Sequence, residues 1–198
     1  MRVIVFGASG RTGKNIVEGA FAAGHEVTAL VRDPRRLASA SPRLALAVGD
    51  VLDAAAVETA MAGQDAVLIA RGTGADLRPT TVLSRGTANI VRAMETHGVR
   101  RVICLLSGWL FYESYPPMFR DITAEHERQL ATLRASRLGW VAVCPPQITD
   151  GPATGRYRIA VNALPTGGVQ VSKADIAEFM VSQLADDTYL GHAVGIAA

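Results

Sequence analysis

Four consecutive apolar residues, Val3-Ile4-Val5-Phe6, run straight into Gly7-Ala8-Ser9-Gly10-Arg11-Thr12-Gly13, and a helical pattern begins just beyond. A strand buried on both faces is a continuous apolar run, not an alternating one. Glycines spaced three apart let the chain turn tightly, bring its backbone close to a ligand, and lay the next helix against the strand. Across residues 15–23, Ile16, Val17, Ala20 and Phe21 recur at helical spacing, and Gly24 marks the stop. Residues 25–31 supply a second strand. The product is a strand–helix–strand unit of about thirty residues, which commits the chain to a parallel sheet.

The alternation continues. Strands are expected at residues 44–48, 66–70, 101–106 and 140–143, with helices at 54–61, 82–96 and 122–136. This predicts a single α/β domain over residues 1–198: a Rossmann-type doubly wound parallel sheet with helices on both faces and right-handed crossovers. Apolar residues make up 49% of the chain and aromatics only 6%, so Ala, Val, Leu and Ile must fill the core. Beyond Cys144, Pro145-Pro146 and Gly151-Pro152 punctuate a loop-rich segment, 145–172, that forms a small cap on the substrate side. Strand-like pieces at 158–161 and 169–171, a helix at 174–184 with Ser172 as N-cap, and a last strand at 192–196 complete the reading.

Net charge is +2 and spread along the chain, which disfavours nucleic-acid or membrane-surface partners. Cys104 and Cys144 each lie in an apolar run and form no C-x-x-C pair, so neither a disulfide framework nor a metal site is expected. The chain opens on a strand pattern, not on a leader, and no apolar stretch approaches the roughly 20 residues of a membrane span. A cytoplasmic location is expected.

Gly7, Gly10 and Gly13, placed between a strand and a helix, form a candidate phosphate site. The helix start offers unpaired N–H groups and a positive dipole end, and Arg11 and Thr12 sit at its mouth. Cofactor choice is set at the end of the second strand, where an acid would bind a ribose 2′-hydroxyl. Here Arg32 is the first residue past the strand and Arg35 and Arg36 follow, the chemistry for a 2′-phosphate and hence for NADP(H). Asp33 remains able to reach a ribose. After the third strand, Asp50 and Val51 are placed to bracket adenine, although an Asp there also serves as a helix cap, a task for which Asp53 competes. Gly72 and Thr73, past the fourth strand, are small enough to let a cofactor pass; Arg71 before them faces either a phosphate or solvent.

Ser107 ends the fifth strand, where open α/β sheets bind ligands, and is the candidate catalytic residue, with capping of the following loop as its other role. Neither lysine, Lys14 or Lys173, lies four residues after a tyrosine, so no lysine-assisted tyrosine acid exists for alcohol–ketone chemistry or epimerisation. A substrate that accepts hydride without a strong acid fits better. Trp109, Phe111, Tyr112, Met118 and Phe119 gather aromatic and apolar bulk beside Ser107, where a flat ring can stack; a lid or a subunit contact is the other reading of this segment.

A set of short motifs in one order resembles the biliverdin IXβ reductase/flavin reductase family, an atypical short-chain dehydrogenase group. It comprises residues 7–13, Thr28-Ala29-Leu30-Val31-Arg32-Asp33, Gly49-Asp50-Val51-Leu52 and Ala62-Gly63-Gln64-Asp65-Ala66-Val67. It continues through Leu77-Arg78-Pro79-Thr80-Thr81-Val82, Asn89-Ile90-Val91, His97-Gly98-Val99, Val141-Ala142-Val143 and Ser172-Lys173. The resemblance implies hydride transfer from NADPH to free flavins (FMN, riboflavin, FAD) as substrates, not prosthetic groups, and in some members to linear tetrapyrroles such as biliverdin. It assigns Thr12, Arg32 and Arg36 to cofactor phosphates, Asp50 and Val51 to adenine, and Ser107 to the active site. Trp109 and Tyr112 fall where the family also places aromatics. Two departures stand out. Gln147 replaces a usual histidine and has no proton to donate near neutral pH. Thr166-Gly167-Gly168 lacks an arginine suited to acidic tetrapyrrole substituents. His126 and Arg128, which the family shares, fall on a helix and read as surface or lid residues. The expectation is a monomeric or weakly dimeric NADPH-dependent oxidoreductase for a flat conjugated acceptor (a flavin, tetrapyrrole or quinone). The alternative from another class is a non-catalytic NADP(H)-binding redox sensor.

Overall fold

A computed structural model describes residues 1–37, 41–74 and 76–198. The predicted α/β architecture is present. Strands β1 (Arg2–Phe6), β2 (Glu26–Val31), β3 (Leu44–Val48), β4 (Ala66–Ile69), β5 (Arg101–Leu105) and β6 (Gly139–Cys144) run parallel. The helices are α1 (Arg11–Ala22), α2 (Ala54–Met61), α3 (Val82–His97), α4 (Arg120–Ala135) and α5 (Lys173–Ser182). Strands β7 (Gln147–Thr149) and β9 (Gln170–Ser172) pair as a small separate sheet, while β8 (Arg158–Val161) and β10 (His192–Ala197) join the main one. The main sheet has eight strands in the order β3-β2-β1-β4-β5-β6-β10-β8. From β1 the chain builds outward through β2 and β3, then crosses back over α2 to lay β4 on β1's other side. The sheet therefore reverses between β1 and β4, and open α/β sheets bind ligands outside the strand ends at such a point.

Alternation along β1 divides the core. Val3 and Val5 pack with Ile16, Val17 and Ala20 of α1 and Ile176, Ala177 and Met180 of α5. Ile4 and Phe6 face the other way, onto Val57 and Met61 of α2, Ile90 and Met94 of α3, and Leu130 and Leu133 of α4. Both faces of the sheet are thus covered, as a continuous apolar β1 requires. Gly98 ends α3 in the left-handed conformation (φ 69°), the role expected of a glycine at that place.

Three details depart from expectation. Helix α1 starts at Arg11, four residues before its apolar periodicity becomes visible, because its first turn faces the glycine loop and not the core. Residues 147–149, read as loop, form β7 against β9, with Gln147↔Gln170 in register. Strand β8 runs antiparallel to β10 and forms the sheet edge.

The carboxylate of Asp175, in the first turn of α5, anchors the loop-rich segment. It accepts hydrogen bonds from the backbone N–H groups of Thr154 (2.7 Å) and Gly155 (2.9 Å) and from the Ser172 hydroxyl (2.8 Å), while Ser172 caps α5 through the Asp175 N–H. Burial alone would raise this carboxyl, but the bonds from Ser172, Thr154 and Gly155 outweigh it and hold its pKa below the ordinary value. A pKa lower in the folded than in the unfolded chain gives stability that is present above the unfolded value, about 4, and is lost as pH falls through the folded one. Asp175→Asn is expected to cost about 1–3 kcal/mol at pH 7 and to flatten the stability profile below pH ~4. Urea titrations of both forms at a series of pH values check this; parallel profiles would contradict it.

Candidate cofactor site

The glycine turn is compact because Gly7 and Gly13 are sterically required and Gly10 is in tight contact. Gly7 has φ +87°, and a Cβ there would lie 2.7 Å from the Ala70 carbonyl oxygen at the end of β4. A Cβ on Gly13 would lie 2.0 Å from the Gly7 carbonyl oxygen, while one on Gly10 would meet that oxygen at 3.1 Å. Gly10 also donates its N–H to this oxygen at 2.9 Å, which closes the turn. No side chain caps the start of α1, and its first turn carries no acid. Its N–H groups and positive dipole end therefore face an incoming anion without a competing carboxylate.

Beside this turn lies a cavity of about 320 Å³. Phe6, Gly7 and Ser9 form one wall, and Leu30, Val31, Arg32, Asp33 and Arg36 at the end of β2 form another. Gly49 and Val51 after β3, and Arg71 after β4, complete it. The cavity thus spans the ends of β1 to β4, at the reversal of strand order.

Its charges are unequal. Arg35 grips Asp33 through two side-chain bonds, Nε to Oδ1 at 2.9 Å and Nη2 to Oδ2 at 3.1 Å, so this acid is occupied by its neighbour. The same bonds hold the Asp33 carboxyl below the usual carboxylate range. Arg32 approaches Asp50 at 3.8 Å, and Asp50 also accepts the Leu52 N–H at 2.9 Å. Asp53, not Asp50, caps α2, accepting from the N–H groups of Ala55 and Ala56. The Arg36 side chain lines the cavity and forms no ion pair among the described residues.

Of the residues singled out from the sequence, Gly7, Arg32, Asp33, Arg36, Val51 and Arg71 line the cavity, and Asp50 sits beside it through Arg32. Arg11 turns elsewhere: it donates to Asp150 at 3.0 Å, and Lys173 holds the other Asp150 oxygen at 2.8 Å, which ties α1 to the C-terminal segment. Thr12 and Gly13 are buried in the first turn of α1. Gly72 and Thr73 follow β4 outside the cavity lining, and the Thr73 carbonyl accepts from Asp76 N–H. Gly49, the first residue of the Gly49-Asp50-Val51 step after β3, also lines the cavity, and Ser9 is a cavity residue that sequence reasoning passed over; its position inside the glycine turn was the available signal.

The substrate-side candidates lie on the next strand over from β4, past the end of β5. The Ser107 hydroxyl accepts the Trp109 N–H at 3.3 Å, beginning a short 3-10 turn over Gly108–Phe111. Gly108 donates to the Pro145 carbonyl at 2.7 Å, and a Cβ on Gly108 would stand 2.7 Å from that oxygen. Close packing here brings the turn after Ser107 against the Pro145-Pro146-Gln147 loop. Gln147 itself is exposed at the start of β7. Trp109 stacks on Phe119 with centroids 4.7 Å apart and touches Tyr112 at 5.1 Å and Tyr115 at 6.2 Å. The aromatic segment is therefore a cluster packed on itself, with Tyr112 and Met118 on its outside.

The surface reading of His126 is corrected. His126 is buried and hydrogen-bonds through Nδ1 to Gln129 Oε1 at 3.2 Å, and burial lowers its pKa. Gln129 in turn donates to the Thr87 hydroxyl at 2.9 Å. Next to it Glu125 is fully buried and accepts from the Ser84 N–H (2.8 Å) at the start of α3 and from Arg128 (2.7 Å). These groups form a polar seam between α3 and α4. Cys104 and Cys144 are buried free thiols whose pKa values burial pushes up, so neither is a ready nucleophile. Among the described residues, no group of His, Cys, Asp or Glu could hold a metal ion, and no helix is long and apolar enough to cross a membrane.

Strand order, glycine turn and cavity together define a dinucleotide-binding Rossmann fold. The sequence pattern of the NAD(P)H-binding family matches residues 7–187, and the chain belongs to that family. A Rossmann-fold NAD(P)-binding family protein from Shigella flexneri superposes with a TM-score of 0.77 at 25% identity, covering 98% of this chain and 92% of its own. A Streptococcus pneumoniae protein provisionally called an NADH-flavin reductase gives 0.85 at 24% identity, covering 100% and 99%. Among curated proteins, a Streptomyces 3-diazoavenalumate denitrifying reductase is 30% identical over 151 residues, 68% of this chain and 49% of that protein. A 3-beta-hydroxysteroid dehydrogenase of Mycolicibacterium neoaurum is 37% identical over 113 residues, 52% and 31%. Matches to curated relatives span from 12% to 49% of the relatives' own length.

Proposed function

We propose that this chain is an NADPH-dependent reductase that passes hydride to a flat conjugated acceptor, foremost a free flavin (FMN, riboflavin or FAD), with quinones and linear tetrapyrroles such as biliverdin as further acceptors. The observation that carries this reading is the excess of guanidinium groups around the cavity at the end of β2, where Arg35 already occupies Asp33. A 2′-phosphate supplies the counter-charge. Gly7, Gly10 and Gly13, with Thr12 and the start of α1, receive the pyrophosphate; Asp50 and Val51 flank adenine; and Gly72 and Thr73 line the path onward. Arg11 must leave Asp150 to reach a phosphate, and their exposed pairing makes that exchange inexpensive.

When bound, NADPH supplies a hydride and is left as NADP+. The residues around Ser107 orient the acceptor, and proximity contributes most of the rate. Gln147 has no titratable proton, so the second hydrogen of the acceptor comes from water or through the Ser107 hydroxyl. Trp109 and Tyr112 offer ring edges and the outer face of their cluster to the acceptor. The absence of a Tyr-x-x-x-Lys pair supports an acceptor of this kind over a simple ketone. The protein is taken to work in the cytoplasm, where its two thiols stay reduced, as a monomer or weak dimer.

One observation favours the sensor reading: Trp109 is already stacked on Phe119 and not open on both faces. NADPH oxidation monitored with FMN, riboflavin, a quinone and biliverdin separates the two. Turnover with a flavin is the expected result, and tight NADP(H) binding without turnover on any acceptor would favour the sensor. In the same assay Ser107→Ala is expected to lower kcat about 5- to 50-fold, the worth of one lost hydrogen bond to the reacting groups, with NADPH affinity unchanged. An unaltered kcat would remove Ser107 from the active site.

A further inference from the structure

We propose that Arg71 is a third phosphate-recognising residue, reaching from the end of β4 toward the ends of β2 and β3 to bind the cofactor's 2′-phosphate together with Arg32 and Arg36. This rests on the NADP(H) reading and adds a specificity residue after β4, apart from the end of the second strand where the choice of coenzyme is ordinarily made.

Four observations carry it. Arg71 lines the same cavity as Arg32 and Arg36. Its backbone lies against the glycine turn: an ideal Cβ on Gly7 would be 3.0 Å from the Arg71 nitrogen. The side chain therefore starts from backbone packed against the glycine turn. Its Nε is shut off from solvent and has no hydrogen-bond partner among the described residues. Buried polar groups are nearly always satisfied, and an unpaired donor on a side chain that lines a cavity points to a missing acceptor. Finally, the charges do not balance. Asp33 is neutralised by Arg35, and Asp50 is the one other carboxylate among these groups. Three guanidinium groups facing one carboxylate leave about two positive charges, the complement of a phosphomonoester dianion.

Direction distinguishes this phosphate from the pyrophosphate. The pyrophosphate belongs at the start of α1. The Arg71 charge instead senses Asp50 and Arg32, at the ends of β3 and β2, and burial with the like charge of Arg32 lowers its pKa while Asp50 opposes. An arginine stays protonated under such pressure, so the strain is relieved by an anion. A third guanidinium group on the same phosphate adds a charge-assisted bond that NAD(H) cannot use.

The test is calorimetric titration of wild type, Arg71→Met and Arg71→Lys with 2′,5′-ADP and with 5′-AMP, two probes that differ by the phosphate in question. Arg71→Met is expected to weaken 2′,5′-ADP binding roughly 10- to 100-fold and to leave 5′-AMP within about twofold. Arg71→Lys, which keeps the charge and the stem but loses the fork, is expected to fall between them and covers the case in which the methionine variant fails to fold. Equal losses for both probes would put Arg71 on the adenine or 5′-phosphate and overturn the proposal, as would no loss for either. Wild type that binds both probes equally would fail the NADP(H) reading itself, a different result from a selective wild type indifferent to position 71.

Discussion

Replacing Arg32 and Arg36 together by serine is expected to weaken NADPH binding about 100- to 1,000-fold while NADH binding stays within about threefold. A hydrogen bond to a charged group contributes roughly 1.5–3 kcal/mol, and each 1.4 kcal/mol is a factor of ten. Two such contacts on a partly exposed phosphate, taken at the lower end of that range, give the stated loss. The fold should tolerate the change. The Arg32–Asp50 pair is largely solvent-exposed at 3.8 Å, the kind of ion pair that contributes less than ~1 kcal/mol, and among the described residues Arg36 has no side-chain ion pair to lose. Fluorescence titration of both coenzymes, with a thermal melt as control, measures the effect. A parallel loss for NADPH and NADH would place these arginines outside the 2′-phosphate site.

The second large effect is expected at Gly13. A methyl group there would lie 2.0 Å from the Gly7 oxygen, 2.8 Å from the Gly7 carbonyl carbon and 2.9 Å from the Ala8 Cα. All three are backbone atoms of the turn, so no flexible side chain can yield. Helix α1 must move away from β1 or the turn must open, and either moves the N–H groups that face the pyrophosphate. Gly13→Ala is expected to cost about 2–3 kcal/mol, the upper range for overpacking, which lowers Tm by about 5–10 °C in a chain of this size. NADPH affinity should fall more than about 100-fold. Gly10→Ala is the control: its nearest atom would be at 3.1 Å, a contact relieved by a few tenths of an ångström, and its stability cost should stay near 1 kcal/mol. Equal melts for the two variants would show that the turn is looser than described.

Much of this fold is visible in the chain because the physics is local. A continuous apolar β1, three glycines and an amphipathic helix leave few alternatives, and the same grammar repeats through β6. What escaped depends on distant partners. Strand β7 is three residues with an exposed Gln147, and only pairing with β9 makes it a strand. The direction of β8 is not encoded in four residues; it follows from β10 lying beside it.

The same division runs through the candidate site. Arg32 and Arg36 can be placed because they follow β2 directly, whereas the choice for Arg71 between phosphate and solvent depends on its lining the cavity with an unpaired, buried Nε. His126 was misjudged because polar residues on a helix ordinarily face water, whereas here His126, Gln129 and Thr87 satisfy one another between α3 and α4. The aromatic run after Ser107 showed where rings gather, but not that Trp109 would choose Phe119 as its stacking partner.

The most direct measurement is the dissociation constant of the intact wild-type protein for NADPH and for NADH under one buffer and salt concentration. NADPH is expected to bind at least about tenfold more tightly, with the advantage shrinking as salt screens the arginines. Equal affinities, a preference for NADH, or no binding of either coenzyme would contradict a 2′-phosphate site at the ends of β1 to β4.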